Sequence, residues 1–226
     1  MSGGEQGGEP GGGLEWRDGD VPVSTRFDDP YFSAKGGLAE TRHVFLAGNG
    51  LPGRFCDGFQ VAELGFGTGL NLLATVMAWP GPGVLRYTSF EAWPLDAGSI
   101  ARALQAFPEA LALAGPFLAQ WAAGGRRMDL GRVVAEVIIG DARQTLPRWQ
   151  GVADAWYLDG FSPAKNPELW SPALMTEVGR HTAPGGTFAT YTAAGHVRRS
   201  LTEAGFVVER WPGHGRKRHM TAGRLA

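Results

Sequence analysis

From residue 59 onward, apolar residues gather in short runs at about 59–64, 84–91, 132–139, 153–158 and 186–191. Runs of this length, bounded by glycine or polar turns, predict buried strands. The stretches between them, near 69–79, 96–107, 142–148, 170–181 and 194–204, predict helices. Strands that alternate with helices predict an α/β fold, a parallel, doubly wound sheet with helices on both faces. Residues 108–130 are an Ala/Leu-rich helical addition broken at Gly115-Pro116, and 205–211 and 218–225 predict two closing strands, antiparallel at a sheet edge.

The start of the chain reads differently. Residues 1–13 hold seven glycines and no large apolar side chain, so they cannot offset their own ordering entropy and are expected to be a disordered leader. Residues 14–58 form an N-terminal addition, with turn-rich pieces over 22–58 and a helix near Leu38 to Leu46, packed on a main domain of 59–226. No internal repeat or domain linker is visible.

Composition narrows the class. Hydrophobic residues make up 43% and charged ones 19%, which excludes a charged disordered chain, while 35 glycines call for many tight turns. Cys56 is the single cysteine and the five histidines lack ligand spacing, so no disulfide or zinc site is expected. The N-terminus has no basic stretch followed by an apolar run, and a cytoplasmic protein is expected. The uncharged stretch from Leu64 to Leu85 is broken by five glycines, Pro80 and Pro82, which argues against a membrane span. The net charge of −1 conceals an asymmetry: residues 196–226 carry seven Lys/Arg against two Asp/Glu. A monomer is expected, since no exposed apolar stripe stands out.

The strongest local signal is Phe59-Gln60-Val61-Ala62-Glu63-Leu64-Gly65-Phe66-Gly67-Thr68-Gly69-Leu70-Asn71, a strand running into a glycine turn that opens a helix. Gly65, Gly67 and Gly69 let the backbone approach a ligand at the strand's carboxyl end, where doubly wound sheets bind nucleotides. A dinucleotide fingerprint requires its third glycine where Leu70 stands. The Gly-x-Gly-x-Gly spacing, with Glu63 two residues ahead, instead resembles the S-adenosylmethionine loop of class I methyltransferases. That resemblance places Glu63 near the cationic methionine part of the donor and makes Phe66, Thr68 and Asn71 part of the loop's binding surface.

Two further acids follow in chain order. Glu91, ending the second strand, is placed to accept hydrogen bonds from both ribose hydroxyls; nicotinamide enzymes use the same device, so it speaks for adenosine and not for methyl transfer. Asp141, after the third strand, is placed either to bond the adenine amino group or to cap the helix it precedes.

The fourth strand leads into Asp159-Gly160-Phe161-Ser162-Pro163-Ala164-Lys165-Asn166-Pro167. Its carboxyl end faces the same crevice, so Asp159 and Phe161 are expected beside the methyl donor. A primary alkylamine must lose a proton before attacking a methyl sulfonium, and Asp159 is expected to orient or deprotonate it. Phe161 then packs against the base that carries the amine. The plainer alternatives are a turn cap for Asp159 and a core position for Phe161.

These two segments, with Tyr31-Phe32-Ser33, the run from Gly37 to Asn49 and the late Gly213 to Met220, closely resemble the tRNA 5-methylaminomethyl-2-thiouridine methyltransferases of the MnmD type, from about residue 24 to the C-terminus. The resemblance implies a class I methyltransferase (Rossmann-like) fold, mostly parallel with an antiparallel edge. It also implies methyl transfer from S-adenosyl-L-methionine to the exocyclic amine of 5-aminomethyl-2-thiouridine at the tRNA wobble position, in the anticodon loop. In many relatives this domain is fused to a flavin oxidase; here no FAD and no metal are expected, and the aminomethyl substrate would come from another protein. Lys165 and Asn166 are candidates to touch substrate, with Asn166-Pro167 also suited to setting a turn. Arg216, Lys217 and Arg218 are candidates for tRNA phosphate contacts or a solvated polar edge. Tyr31 and Glu40 either close over the donor or serve as core and helix-surface residues. Two rivals stay open: a same-fold methyltransferase of a small-molecule or protein amine, and a non-catalytic RNA-binding module.

Overall fold

The computed structural model describes residues 13–17, 20–33, 36–215 and 217–226. The expected disordered leader, except for Gly13, and Arg216 lie outside the described residues. A small antiparallel sheet comes first, formed by β1 (Leu14–Arg17), β2 (Val21–Ser24) and β3 (Asp29–Pro30). It replaces the turn-rich pieces expected at the start of 22–58: strands of two to four residues, one interrupted by Pro22, are too short to leave a readable period. What holds it is tertiary, since Val21 and Val23 are buried. The expected N-terminal helix is present as α1 (Gly37–Thr41), which widens into a π turn over Arg42–Leu46 and tightens to a 3-10 turn over Ala47–Asn49.

From there the alternation holds: β4 (Gln60–Leu64), α2 (Leu70–Ala78), β5 (Leu85–Glu91), α3 (Ala97–Leu104), α4 (Pro108–Leu111), α5 (Gly115–Ala122), β6 (Arg127–Asp129), β7 (Val133–Ile139), α6 (Ala142–Thr145), β8 (Ala153–Leu158), α7 (Pro172–Arg180), β9 (Thr182–Thr190), α8 (Gly195–Glu203), β10 (Phe206–Pro212) and β11 (His219–Leu225). Two details of the 108–130 reading change. Gly115-Pro116 opens α5, because proline suits the first turn where its missing N–H has no partner to lose, and the break falls just before it. Residues Arg127–Asp129 are an edge strand on β7.

The main sheet has the order β10-β11-β9-β8-β4-β5-β7-β6. The five central strands are parallel, while β6, β10 and β11 supply antiparallel edges. Alternate residues of each strand feed two cores. Val61, Tyr87, Ala155 and Tyr157 pack with α2 and α5, and Ala62, Leu64, Phe90, Trp156 and Leu158 pack with α7 and α8. Each large side chain buried in this way contributes about 1.5–3 kcal/mol, which explains continuous apolar runs on strands covered on both faces. Chain order reverses at β4, whose neighbours are β5 and β8, so a crevice opens at its carboxyl end. Among the described residues no helix is long and apolar enough to cross a membrane.

Candidate active site

A cavity of about 700 Å³ occupies that crevice, within the range of small-molecule sites. The carboxyl ends of β4, β5, β7, β8 and β9 deliver Gly65 to Thr68, Leu70, Asn71, Glu91, Asp141, Asp159 and Tyr191 to it, and Arg26, Phe27 and Asp29 to Ser33 with Glu40 and Lys217 cover its other side.

The three glycines of the first turn all have positive φ, but for different partners. A Cβ on Gly65 would stand 2.2 Å from the Asp159 carbonyl oxygen, so this glycine lets the β4 and β8 loops touch. A Cβ on Gly69 would meet the Phe117 and Phe66 rings at 3.0 and 3.1 Å; Gly69 does not line the cavity. Gly67 is the one whose missing side chain faces the cavity, toward the Tyr31 ring at 3.2 Å. Phe66 stacks on Trp121, with centroids 5.1 Å apart, and Thr68 is buried at the cavity edge.

Glu91 ties the turn to the second strand. Its Oε2 accepts from the Gly67 backbone N–H at 3.0 Å and its Oε1 from that of Trp93 at 2.7 Å. Burial pushes its carboxyl up, and these N–H donors pull against that. A carboxylate has about four acceptor positions, so room is left for hydroxyl donors from a ligand. Asp141 does what the plainer reading gave it: it caps α6, accepting from the Arg143 backbone N–H at 2.9 Å, and its carboxylate clamps the Arg143 guanidinium. It also lines the cavity, as does Arg143, which sequence reasoning missed.

Glu63 departs from expectation. It is 0% exposed, shares the face of β4 with Val61, and lies beneath the cavity wall rather than in it. Its Oε1 accepts from Asn71 Nδ2 at 2.8 Å, and the same nitrogen donates to Asp159 Oδ2 at 2.7 Å. The Asn71 amide thus turns its nitrogen to both acids, and its oxygen accepts from the Thr41 hydroxyl at 2.9 Å. Among the described residues Glu63 Oε2 is buried with no hydrogen-bond partner, and so are the neighbouring Ser89 and Tyr87 hydroxyls. Burial raises the Glu63 carboxyl to about 8.

Asp159 lines the cavity, and its Oδ1 makes no hydrogen bond among the described residues. Burial lifts its carboxyl to about 7, against the lowering effect of the Asn71 hydrogen bond and of Lys217. An acid poised there can take a proton near neutral pH.

Phe161 is also at the cavity, but in company. Phe27 stacks on it at 4.8 Å and Tyr31 meets it edge-on at 5.1 Å. Lys165 faces away from the cavity and fastens this segment: its Nζ donates to the Asp28 carbonyl and lies 3.4 Å from Asp29, whose Oδ2 accepts from the Ser162 backbone N–H at 2.8 Å. The expectation that Lys165 touches substrate is therefore replaced by a staple between the N-terminal strap and the β8 loop. Asn166 lines the cavity and also closes a turn through its N–H to the Ser162 carbonyl. Glu40, only 12% exposed at its side chain, is at the cavity rather than on a helix surface. Lys217 pairs with it there, whereas Arg218 is exposed and outside the cavity.

Other lining residues had weak or no sequence signal. Tyr191 follows a strand end and was reachable by the crevice rule, and Trp93 follows Glu91 by two. Arg26, whose guanidinium lies 3.9 Å over the Trp93 ring, and Phe27 come from a segment without periodicity. Six carboxylates (Asp29, Glu40, Glu91, Asp141, Asp159 and Glu168) line the cavity against three cations. A negatively lined, aromatic cavity with a glycine face at Gly67 fits a cationic adenosine compound.

Residues 108–226, more than half of the chain, match the family described as S-adenosyl-L-methionine-dependent methyltransferase. The proteins named tRNA 5-methylaminomethyl-2-thiouridine biosynthesis bifunctional protein MnmC are 45% identical over 94% of this chain in Aeromonas hydrophila and 47% identical over 91% in Caulobacter vibrioides. The chain spans about a third of the length of these curated relatives, 35% and 36% respectively. Among solved structures, that of MNMC2 from Aquifex aeolicus superposes with a TM-score of 0.75 at 23% identity, covering 95% of this chain and 70% of the other. That likeness shows the fold.

Proposed function

The chain belongs to the S-adenosyl-L-methionine-dependent methyltransferase family, and we propose that it methylates the exocyclic amine of 5-aminomethyl-(2-thio)uridine at the tRNA wobble position, giving 5-methylaminomethyl-2-thiouridine. The observation that carries the substrate is the 45% identity, over nearly the whole chain, to proteins named for biosynthesis of that nucleoside. Asp159, which lines the cavity and whose Oδ1 has no partner among the described residues, supplies the matching chemistry.

S-adenosyl-L-methionine, when bound, supplies an electrophilic methyl group. Glu91 would accept hydrogen bonds from the donor's ribose hydroxyls, and Gly65, Gly67, Thr68, Tyr31 and Asp141, which line the same cavity, would hold its adenosine part. With the donor in place, Asp159 would align the amine and receive the proton it loses, leaving the nitrogen lone pair free. Asn71 holds Asp159 in place and Glu63 supports Asn71 from below. Phe161, Phe27 and Tyr31 give the base an aromatic wall. Arg218, with Arg198, Arg199 and Arg210, offers phosphate contacts to the anticodon loop. Main-domain residues 59–226 carry the chemistry, while the 14–58 addition closes the cavity. A cytoplasmic location and a flavin- and metal-free reaction belong to the same reading.

The test is nucleoside mass spectrometry of tRNA from cells blocked at the aminomethyl stage, after incubation with purified protein and methyl-labelled S-adenosyl-L-methionine. Label in 5-methylaminomethyl-uridine is the expected result. Donor-binding protein that transfers no label to this tRNA overturns the substrate.

A further inference from the structure

Lys217 comes from the connection between β10 and β11, yet its ammonium ends inside the cavity. Nζ donates to Glu40 Oε1 at 2.6 Å and lies 3.9 Å from the Tyr191 ring centroid. The Tyr191 hydroxyl donates to the Gly160 carbonyl at 2.7 Å, which fixes that ring against the loop bearing Asp159. Glu40 is held in turn by the Ser33 hydroxyl. A carboxylate on one side and an aromatic face on the other is the arrangement that binds alkylammonium groups.

The two partners differ in what they can give up. The Glu40 side chain is 12% exposed and fixed on α1, whereas the Lys217 side chain is 41% exposed on a connection containing Gly213 and Gly215. Lys217 can swing out to water; Glu40 and Tyr191 cannot follow it. The carboxylates Asp159 and Asp29 also act on Tyr191, so the place Lys217 occupies favours a cation whether or not lysine is there.

We propose that Glu40 and Tyr191 form an ammonium subsite beside Asp159, filled by Lys217 as an internal competitor that a ligand ammonium must displace. The inference rests on the reading of the cavity as an amine methyltransferase site. Two ligand ammonium groups have this chemistry, the aminomethyl group of the substrate and the α-ammonium of the donor's methionine part.

Calorimetry on the folded full chain separates them without tRNA, so failure of the wobble-uridine reading leaves the result legible. The probes are S-adenosylhomocysteine, 5′-methylthioadenosine, which lacks an α-ammonium, and n-propylammonium added to protein saturated with S-adenosylhomocysteine. Removing an internal competitor that holds the subsite most of the time tightens the apparent affinity by roughly fivefold. Lys217→Met is therefore expected to tighten either S-adenosylhomocysteine, which assigns the subsite to the donor, or n-propylammonium, which assigns it to the substrate. In both cases 5′-methylthioadenosine is unchanged, and Glu40→Gln weakens the ligand that gained. Lys217→Gln serves as a second variant should Lys217→Met fail to fold. Unchanged or weaker binding of both ammonium ligands in the lysine variant, or undiminished binding in Glu40→Gln, overturns the proposal.

Discussion

Replacing Glu63 with glutamine should make the protein less sensitive to alkaline pH. In the folded protein burial holds the Glu63 proton up to about pH 8, while the ordinary carboxyl releases it near 4.5. The folded state therefore binds one more proton than the unfolded chain across that window. The stability contribution is full below about pH 4.5 and is lost as pH rises toward 8, a factor of ten in the folding equilibrium per pH unit. Glutamine keeps the shape: its oxygen can accept from Asn71, and its amide can donate to the unpartnered Ser89 and Tyr87 hydroxyls. Between pH 5.5 and 7.5 the stability difference between variant and wild type should shift by about 3 kcal/mol in favour of glutamine. Urea unfolding at four pH values reads this directly, and the raised carboxyl of Glu91 cancels because both proteins carry it. Parallel pH profiles for the two proteins would refute the assignment of a buried, proton-holding Glu63.

Asp159→Asn should lower methyl transfer by roughly 10²-fold or more, the range of a lost general base, with donor affinity by calorimetry largely kept. Because Asp159 must be ionised to take a proton, the wild-type rate should rise with pH up to about 7 and level beyond it; a rate flat from pH 5.5 to 8 contradicts the role. Glu91→Ala should weaken donor binding at least tenfold, since it removes both the ribose acceptor and the tie to the Gly67 N–H, and an unchanged dissociation constant removes that role. Gly65→Ala should destabilise by about 2 kcal/mol or more, from its φ of +88° and a Cβ only 2.2 Å from the Asp159 carbonyl. Gly115→Ala, where a Cβ meets open space, should stay within about 0.5 kcal/mol, and thermal unfolding of both variants reads the difference.

The alternation of apolar runs and helical stretches determined the doubly wound sheet, because strands buried on both faces must be apolar throughout. It also determined that Gly67, Glu91, Asp141, Asp159 and Phe161 meet, since the carboxyl ends of parallel strands share one edge whatever the details of packing. Tertiary structure alone decided which of these face the cavity and what the others do. Glu63 and Gly69 belong to the same motif as Gly67, yet the pleat turns Glu63 under Asn71 and Gly69 packs on Phe117. Lys165 was expected to touch substrate and Lys217 to meet tRNA phosphate or line a solvated edge; one became a staple to Asp29 and the other entered the cavity against Glu40, 177 positions away. The strap carrying Arg26, Phe27 and Tyr31 left no periodic trace, because its strands are short and it is held by contacts distant in sequence, Phe27 on Phe161 and Arg26 on Trp93 among them. Local pattern is set by which faces are buried, and partners distant in sequence are set by where those faces come to rest.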